Sequence, residues 1–444
     1  MNCARARKVP GAGQSPIVAL TFADQVVSSA SNFAVGVVIA RAGGAHALGS
    51  FGIAFLVWLV AVGFNRALIN EPMTVADVQG AAALRVSPGA AATALLGCGW
   101  VVLLVIGWAG ARLAGSEIPI LLALAPWMPF LLLQEYARSV AFRLHRPGCA
   151  LKSDLVFAVV QGAMMAVLLG LGVRQAAWYL ACWGAGSVAG ALVARTALDG
   201  RPTLRQGVDQ LRSTWHASRW FLAEFGTAFV SDQGYMLLLP VLLGTAEFGQ
   251  YRAAMGLVGP VVMLFLAAGN VGLPQFVRRL REHGTAGLRH YTPRFSAAML
   301  VVSAAYCGAL ALLAEPLLRV VYGVAFTDAA TVTRLLAGQY AVYSVALGAG
   351  IALRAAGRLR SLWQLRLFTA SVSVTATVVL GRAFGTTGVG AAAVLAATAL
   401  AAGTIVVFRR ELPAGKPGSG TTAHVGPPPP PDGRQPSADC PLST

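Results

Sequence analysis

Six polar side chains interrupt one apolar run near the start of the chain. The stretch FADQVVSSASNFAVGVVIAR, from Phe22 to Arg41, carries Asp24, Gln25, Ser28, Ser29, Ser31 and Asn32. An acid in such a run can bind a proton or a cation. At about 100° per helical residue, with Asp24 at 0°, Ser31 falls near −20°, Ser28 near 40°, Asn32 near 80° and Gln25 near 100°. Most of the polar set shares one face, and Ala23, Val27, Ala30 and Ala34 cover much of the remainder. A second run repeats the pattern: on the same wheel Glu224, Ser231 and Tyr235 share one side, and Asp232 lies within a quarter turn of Glu224. The candidate cavity and ion-coupling residues are therefore Asp24, Ser31, Asn32, Glu224, Ser231 and Asp232.

These residues sit in a chain built for lipid. Hydrophobic residues make up 56% and charged residues 11% of the sequence, and mean hydropathy is +0.66. Soluble domains carry about 25% charged residues. A helix crosses the roughly 30 Å hydrocarbon core with about 20 residues. Twelve apolar runs are long enough: 18–40, 48–69, 90–112, 118–138, 154–173, 176–195, 219–242, 252–274, 295–315, 330–353, 361–381 and 386–408. They lack the alternation of barrel strands, so the fold class is an all-α polytopic membrane protein. Three basic residues, Arg5, Arg7 and Lys8, precede the first run, which is too long and too polar for a cleaved signal and is read as an uncleaved span.

Where the charges fall gives the orientation. Of 34 Lys and Arg, seven lie in one set of alternate connections, namely Arg41, Arg112, Arg174, Arg252, Arg319, Arg334 and Arg382, and the others lie in the opposite set. The positive-inside rule then puts both termini in the cytoplasm. It also accounts for the net charge of +17 without a nucleic-acid partner. After residue 410 the chain turns to Pro, Gly and Ser, with five consecutive prolines, and reads as a disordered tail over 411–444.

The chain also repeats itself. A shift of 200 positions lays GGAHALGSFGIA (Gly43–Ala54) over LGTAEFGQYRAA (Leu243–Ala254), pairing Gly44 with Gly244 and Gly49 with Gly249. The same register pairs Asp24 with Glu224, Ser31 with Ser231 and Asn32 with Asp232. The implied units are residues 1–200, a first six-helix bundle, and 219–410, a second, joined by a cytoplasmic linker over 201–218. Six is even, so the halves run parallel and are related by an axis along the membrane normal. A bare charge at mid-bilayer costs roughly 3 to more than 10 kcal/mol, so the polar faces should line a wet cavity between the halves. The alternative puts Asp24 and Glu224, each about two turns from a helix end, at the headgroups.

Other ionisable groups are less specific. Glu135 and Arg138, at i and i+3, can pair locally. Arginine's planar fork suits phosphate, which makes Arg66, Arg138 and Arg334 candidate phosphate contacts, against the simpler reading that each snorkels or pairs. The six cysteines form no C-x-x-C pair and no H-E-x-x-H occurs; neither a metal nor a cofactor is expected. The outer connections are short and poor in His, Asp and Glu, and no nucleophile–base arrangement stands out, which argues against an enzyme.

FADQVVSSASNFAVGVVIARAGGAHALGSFGIA (Phe22–Ala54) resembles the opening of bacterial polysaccharide-export flippases. LLAEPLLRVVYGVAFTDAATVTRLLAGQYAVYSVALGAGIALRAAGRLR (Leu312–Arg360) is similar to their ninth-to-tenth-helix region. These flippases belong to the multidrug/oligosaccharidyl-lipid/polysaccharide exporter superfamily. The resemblance implies two six-helix bundles, alternating access and a cargo such as an undecaprenyl-diphosphate-linked oligosaccharide moved to the outer leaflet, with H+ or Na+ as candidate coupling ions. The lipid II branch usually has fourteen helices, two more than are read here, which points away from lipid II. The drug/cation antiporter branch has twelve and often an acid in the first, so Asp24 keeps that alternative open.

Overall fold

The computed structural model describes residues 14–78, 86–113, 118–144, 146–194 and 203–412. Among them there are helices and no strands, in the order α1 (Gln14–Asn65), α2 (Glu71–Val78), α3 (Val86–Leu113), α4 (Pro119–Leu124), α5 (Met128–Arg143), α6 (Pro147–Gly170), α7 (Ala176–Ala194), α8 (Leu204–Leu243), α9 (Thr245–Leu312), α10 (Ala314–Val321), α11 (Ala330–Ala355) and α12 (Leu359–Glu411). Helix dominates because lipid offers the backbone no partners. Among the described residues eight helices are long and apolar enough to cross a membrane, and α8 is a ninth if its two bent parts count as one span. Their outward sides carry large apolar residues such as Ile106 on α3, Val159 on α6, Val301 on α9 and Val379 on α12, all more than half exposed. A surface that apolar belongs in a bilayer.

Three helices are far longer than one crossing needs, at 52, 68 and 53 residues for α1, α9 and α12. Each breaks once, at a positive-φ glycine: Gly44, Gly284 and Gly385. Gly44 (φ 72°, ψ −166°) has a near twin in Gly244 (φ 87°, ψ 166°), the residue between α8 and α9. That region of backbone space is essentially closed to side chains with a Cβ. The two residues are 200 positions apart, so the sequence repeat is also a repeat of backbone conformation. We call the end of the molecule holding Gly44 and Gly244 apical, and the end where α1 begins basal.

The halves meet apically with a reciprocity the repeat explains. A Cβ on Gly49 would overlap the Thr245 carbonyl oxygen and stand 3.1 Å from the Gly249 nitrogen. A Cβ on Gly249 would overlap the Ala45 carbonyl oxygen and stand 3.0 Å from the Gly49 nitrogen. Ala45 and Thr245 are themselves 200 apart, so each half makes the same contact on the other, as a local two-fold axis requires. Arg41 adds a second apical tie, donating from Nε to the Val321 carbonyl at 2.8 Å. Gln250 Nε2 donates to the Ala325 carbonyl at 2.7 Å.

Packing follows the same division except where α1 crosses it. One apolar core joins residues of α8–α12, including Phe248, Tyr251, Phe276, Leu336 and Leu353, and takes in Ala40, Leu48 and Leu56 of α1. A second gathers α1, α3, α5 and α7 around Phe51, Leu132, Tyr179 and Trp183. A third, at the basal end, holds Ile69, Met73, Val86 and Tyr136. The segment read from sequence as a linker, 201–218, is helical from Leu204: Thr203 caps α8 reciprocally with Gln206, and the helix continues to Leu243 with a bend of 52° between Val230 and Gln233. The expected tail lies outside the described residues from 413 onward.

Candidate functional site

Helix α1 turns its polar face inward, against its own half. Asp24 is fully buried, and its Oδ2 accepts from Arg138 Nη2 at 2.7 Å and from Arg138 Nε at 3.1 Å. Arg138 sits on α5, three residues after Glu135, and its Nη1 lies 3.5 Å from Glu135 Oε2. Its Nε is also 3.4 Å from Asp154 Oδ2 on α6. The remaining oxygens are partly engaged: Gln134 Nε2 donates to Asp154 Oδ1 at 2.8 Å, and Arg66 pairs with Glu135 Oε1. Three buried carboxylates thus converge on one largely buried guanidinium.

A bare charge in this setting would be costly, and the geometry spreads that cost. Arg138 uses all three of its nitrogens on carboxylates, and its guanidinium carbon lies 5.8 Å from the Phe142 ring centre. Even so, the cluster stays acidic. Asp24, Glu135 and Asp154 face Arg138 and a half-exposed Arg66, and Asp24 Oδ1 has no hydrogen-bond partner among the described residues. An arrangement with one more carboxylate than cations can take up a proton or hold a cation.

Two cavities adjoin this cluster from opposite sides. The apical one, about 40 Å³, is lined by Ser28, Ser31, Asn32, Trp58, Phe157 and Trp183 and floored by Glu135, Arg138 and Asp154. The basal one, about 220 Å³, is lined by Asp24, Gln25, Arg66, Ser139 and Phe142 and roofed by Glu135 and Arg138. Ser31 Oγ donates to Gln161 Oε1 at 3.5 Å, joining α1 to α6 above the cluster. Arg66 opens a single π-helical turn, Arg66–Asn70, where α1 loosens its backbone ladder and places the guanidinium toward Glu135.

This placement corrects the sequence reading in several respects. Asp24, Ser31 and Asn32 do face polar cavities, but every residue lining those cavities belongs to the first half. The partner of Asp24 is supplied by α5 of the same half, while Gln25 and Ser29 beside it reach Met263 Sδ on α9 of the second half at 3.9 and 3.8 Å. Glu224 is not the equivalent of Asp24: it is exposed at the basal end, within electrostatic reach of Glu71. The side chains of Ser231 and Asp232 lie outside the described residues. Arg138 lines both cavities but already pairs with three carboxylates. Arg334 lies on α11, exposed, donating to the Ala311 carbonyl at 3.2 Å and far from the cluster. Of the three arginines, Arg66 alone opens on a cavity with an exposed guanidinium, at 53%.

Two members of the cluster do not stand out in the sequence. Glu135 reads as a local partner of Arg138, and Asp154 as the polar first residue of a span. The one available signal is the i, i+7 spacing of Asp154 and Gln161 on a shared helix face.

No protein-family profile matches the chain, and no curated protein matches it by sequence. Solved structures do match. One described as the lipid II flippase MurJ in an inward closed conformation superposes with a TM-score of 0.68 at 13% identity, covering 89% of this chain and 87% of the other. An inward-facing multidrug resistance transporter of the MATE family and MOP superfamily gives 0.64 at 12%, covering 89% and 98%. A MOP superfamily transporter from Pyrococcus furiosus gives 0.57 at 15%, covering 89% and 95%. At such identities the likeness shows the fold: this chain is a multi-pass helical membrane protein with the architecture these transporters share.

Proposed function

We propose that the chain is an alternating-access exporter of the cytoplasmic membrane that moves an undecaprenyl-diphosphate-linked oligosaccharide to the outer leaflet for surface-polysaccharide synthesis. On this reading the basal end is cytoplasmic, as are both termini. The breaks at Gly44, Gly284 and Gly385 each separate two crossings, and with the bent α8 taken as one more crossing the count is twelve. The bundles span 1–200 and 219–410.

The observation that carries the reading is an asymmetry along the molecule. The halves touch backbone to backbone at Gly49 and Gly249 on the apical side, while a charged cavity lies at the basal side. A carrier waiting for cytoplasmic cargo has that form. Arg66, half exposed in the basal cavity beside Gln25 and Ser139, is the group placed to meet a phosphate. The acidic surplus around Arg138 supplies a place for H+ or Na+, so that cargo movement can draw on the membrane gradient, worth about 2.3 kcal/mol per unit charge per 100 mV.

A second reading has its own support. The apical cavity combines Trp58, Trp183 and Phe157 with Glu135 and Asp154, a lining of aromatic faces and carboxylates that suits an organic cation. That favours a cation-coupled drug antiporter of the same architecture. Gene deletion separates the two. The flippase reading expects lipid-linked oligosaccharide to accumulate in the cytoplasmic leaflet with dye efflux unchanged. Normal glycan export with reduced efflux would replace it with the antiporter.

A further inference from the structure

The first four turns of α8 join the halves, yet they are not an inert tether. Gly207 lies so close to α3 that a Cβ there would stand 2.8 Å from the Ala91 carbonyl carbon. Eleven residues on, or about 16 Å along the helix, Ser218 Oγ donates to the Leu68 carbonyl at 3.0 Å. Leu211 between them packs on the basal core of Ile69, Met73 and Tyr136. Ala91 lies near the start of α3, whereas Leu68 lies inside the continuous run that ends with α2. The segment therefore begins beside the basal end of α3 and continues in one piece to Val230, the 52° bend of α8 falling after it.

Its circumference is graded. At about 100° per residue, Leu211, Thr214 and Ser218 fall within about 40° of Gly207 and form the protein-facing side. Leu204, Trp215 and Val208 follow at about 60–100°, and all three are exposed, Trp215 by 55% and Leu204 by 70%. Next come Arg219, Arg212 and Arg205 at about 120–160°, likewise exposed. Asp209, the one acid between Leu204 and Arg219, lies beyond them with His216 and Ser213. An apolar stripe with a tryptophan, flanked by arginines at seven-residue spacing and then by neutral and acidic polar groups, is the profile of a helix lying in a headgroup layer.

We infer that Leu204–Arg219 is a juxtamembrane cytoplasmic helix whose Arg205, Arg212 and Arg219 row docks on the phosphates of anionic phospholipids. Charge complementarity selects that partner, because the row is cationic and the leaflet it faces is acidic. The inference rests on the orientation proposed above but not on the cargo. It gives the connection between the halves a lipid-dependent anchor on the first half.

Native mass spectrometry of the purified full-length chain tests this, titrated with phosphatidylglycerol and, separately, phosphatidylcholine. The triple variant Arg205→Gln/Arg212→Gln/Arg219→Gln should lose phosphatidylglycerol retention by on the order of tenfold, with phosphatidylcholine unchanged. Arg281→Gln/Arg409→Gln/Arg410→Gln, an equal charge change on exposed residues of the second half, should keep it. Retention in the first variant, or equal loss in both, overturns the inference. Undecaprenyl phosphate serves as a third probe: a first variant that still holds phosphatidylglycerol but releases undecaprenyl phosphate assigns the row to cargo instead.

Discussion

Removing Arg138 should damage this protein more than removing any one of the acids around it. The side chains of Asp24, Glu135 and Asp154 are exposed by only 1%, 7% and 6%, and Arg138 by 15%. Arg138→Leu leaves three buried carboxylates whose remaining cation, Arg66, reaches only Glu135. Breaking a buried pair from one side costs about 3–5 kcal/mol. Asp24→Asn acts differently. The guanidinium keeps Glu135 at 3.5 Å and Asp154 at 3.4 Å, and the amide oxygen can still accept from it. The loss there is that of one charge-assisted hydrogen bond, about 1.5–3 kcal/mol at most. Part of it is offset because one carboxylate no longer repels two others. Unfolding in mixed micelles, read as the SDS fraction at the midpoint, measures both. The double variant Asp24→Asn/Arg138→Leu should be less than additive, since the second change removes a charge that the first left stranded. Acid should relieve Arg138→Leu and not wild type, because carboxyls that take up protons no longer repel. An Arg138→Leu protein with wild-type stability, or an Asp24→Asn protein as weakened as it, would refute a single guanidinium holding three acids.

Two further outcomes follow from the geometry. Gly49→Val or Gly249→Val should hold the apical ends apart, because each side chain would meet a carbonyl of the facing helix. Transport should be lost while membrane insertion stays normal, and a thiol reagent applied from outside should label a Ser31→Cys probe more strongly than in the glycine parent; unchanged labelling would remove the apical contact as a gate. Arg66→Ala should cost no more than about 1 kcal/mol of stability, as expected for a half-exposed pair, yet lower transport at least severalfold. Full transport at normal expression would take Arg66 out of the cargo path.

Much of this was legible along the chain. Apolar runs about 20 residues long dictate helices in lipid, and the 200-residue repeat predicts that Gly44 and Gly244, and Gly49 and Gly249, do the same work twice. Single-residue chemistry of that kind travels with the sequence, since a positive-φ bend or a close backbone approach needs glycine wherever it occurs. The polar face of α1 was legible too, because a period of 3.6 is local information.

What the face looks at was not. The repeat suggested symmetric acids across a shared cavity, and only the packed structure revealed that α5 brings Arg138, and α6 brings Asp154, to Asp24 within the first half. Those partners are 114 and 130 positions away, and no local pattern records which helix lies beside which. The symmetry that fixed the backbone failed for the charges for the same reason. A fold repeats when its apolar and glycine pattern repeats, but a buried ion survives only where its particular counter-ion is delivered, as α5 delivers Arg138 to the buried Asp24 while Glu224 stays exposed.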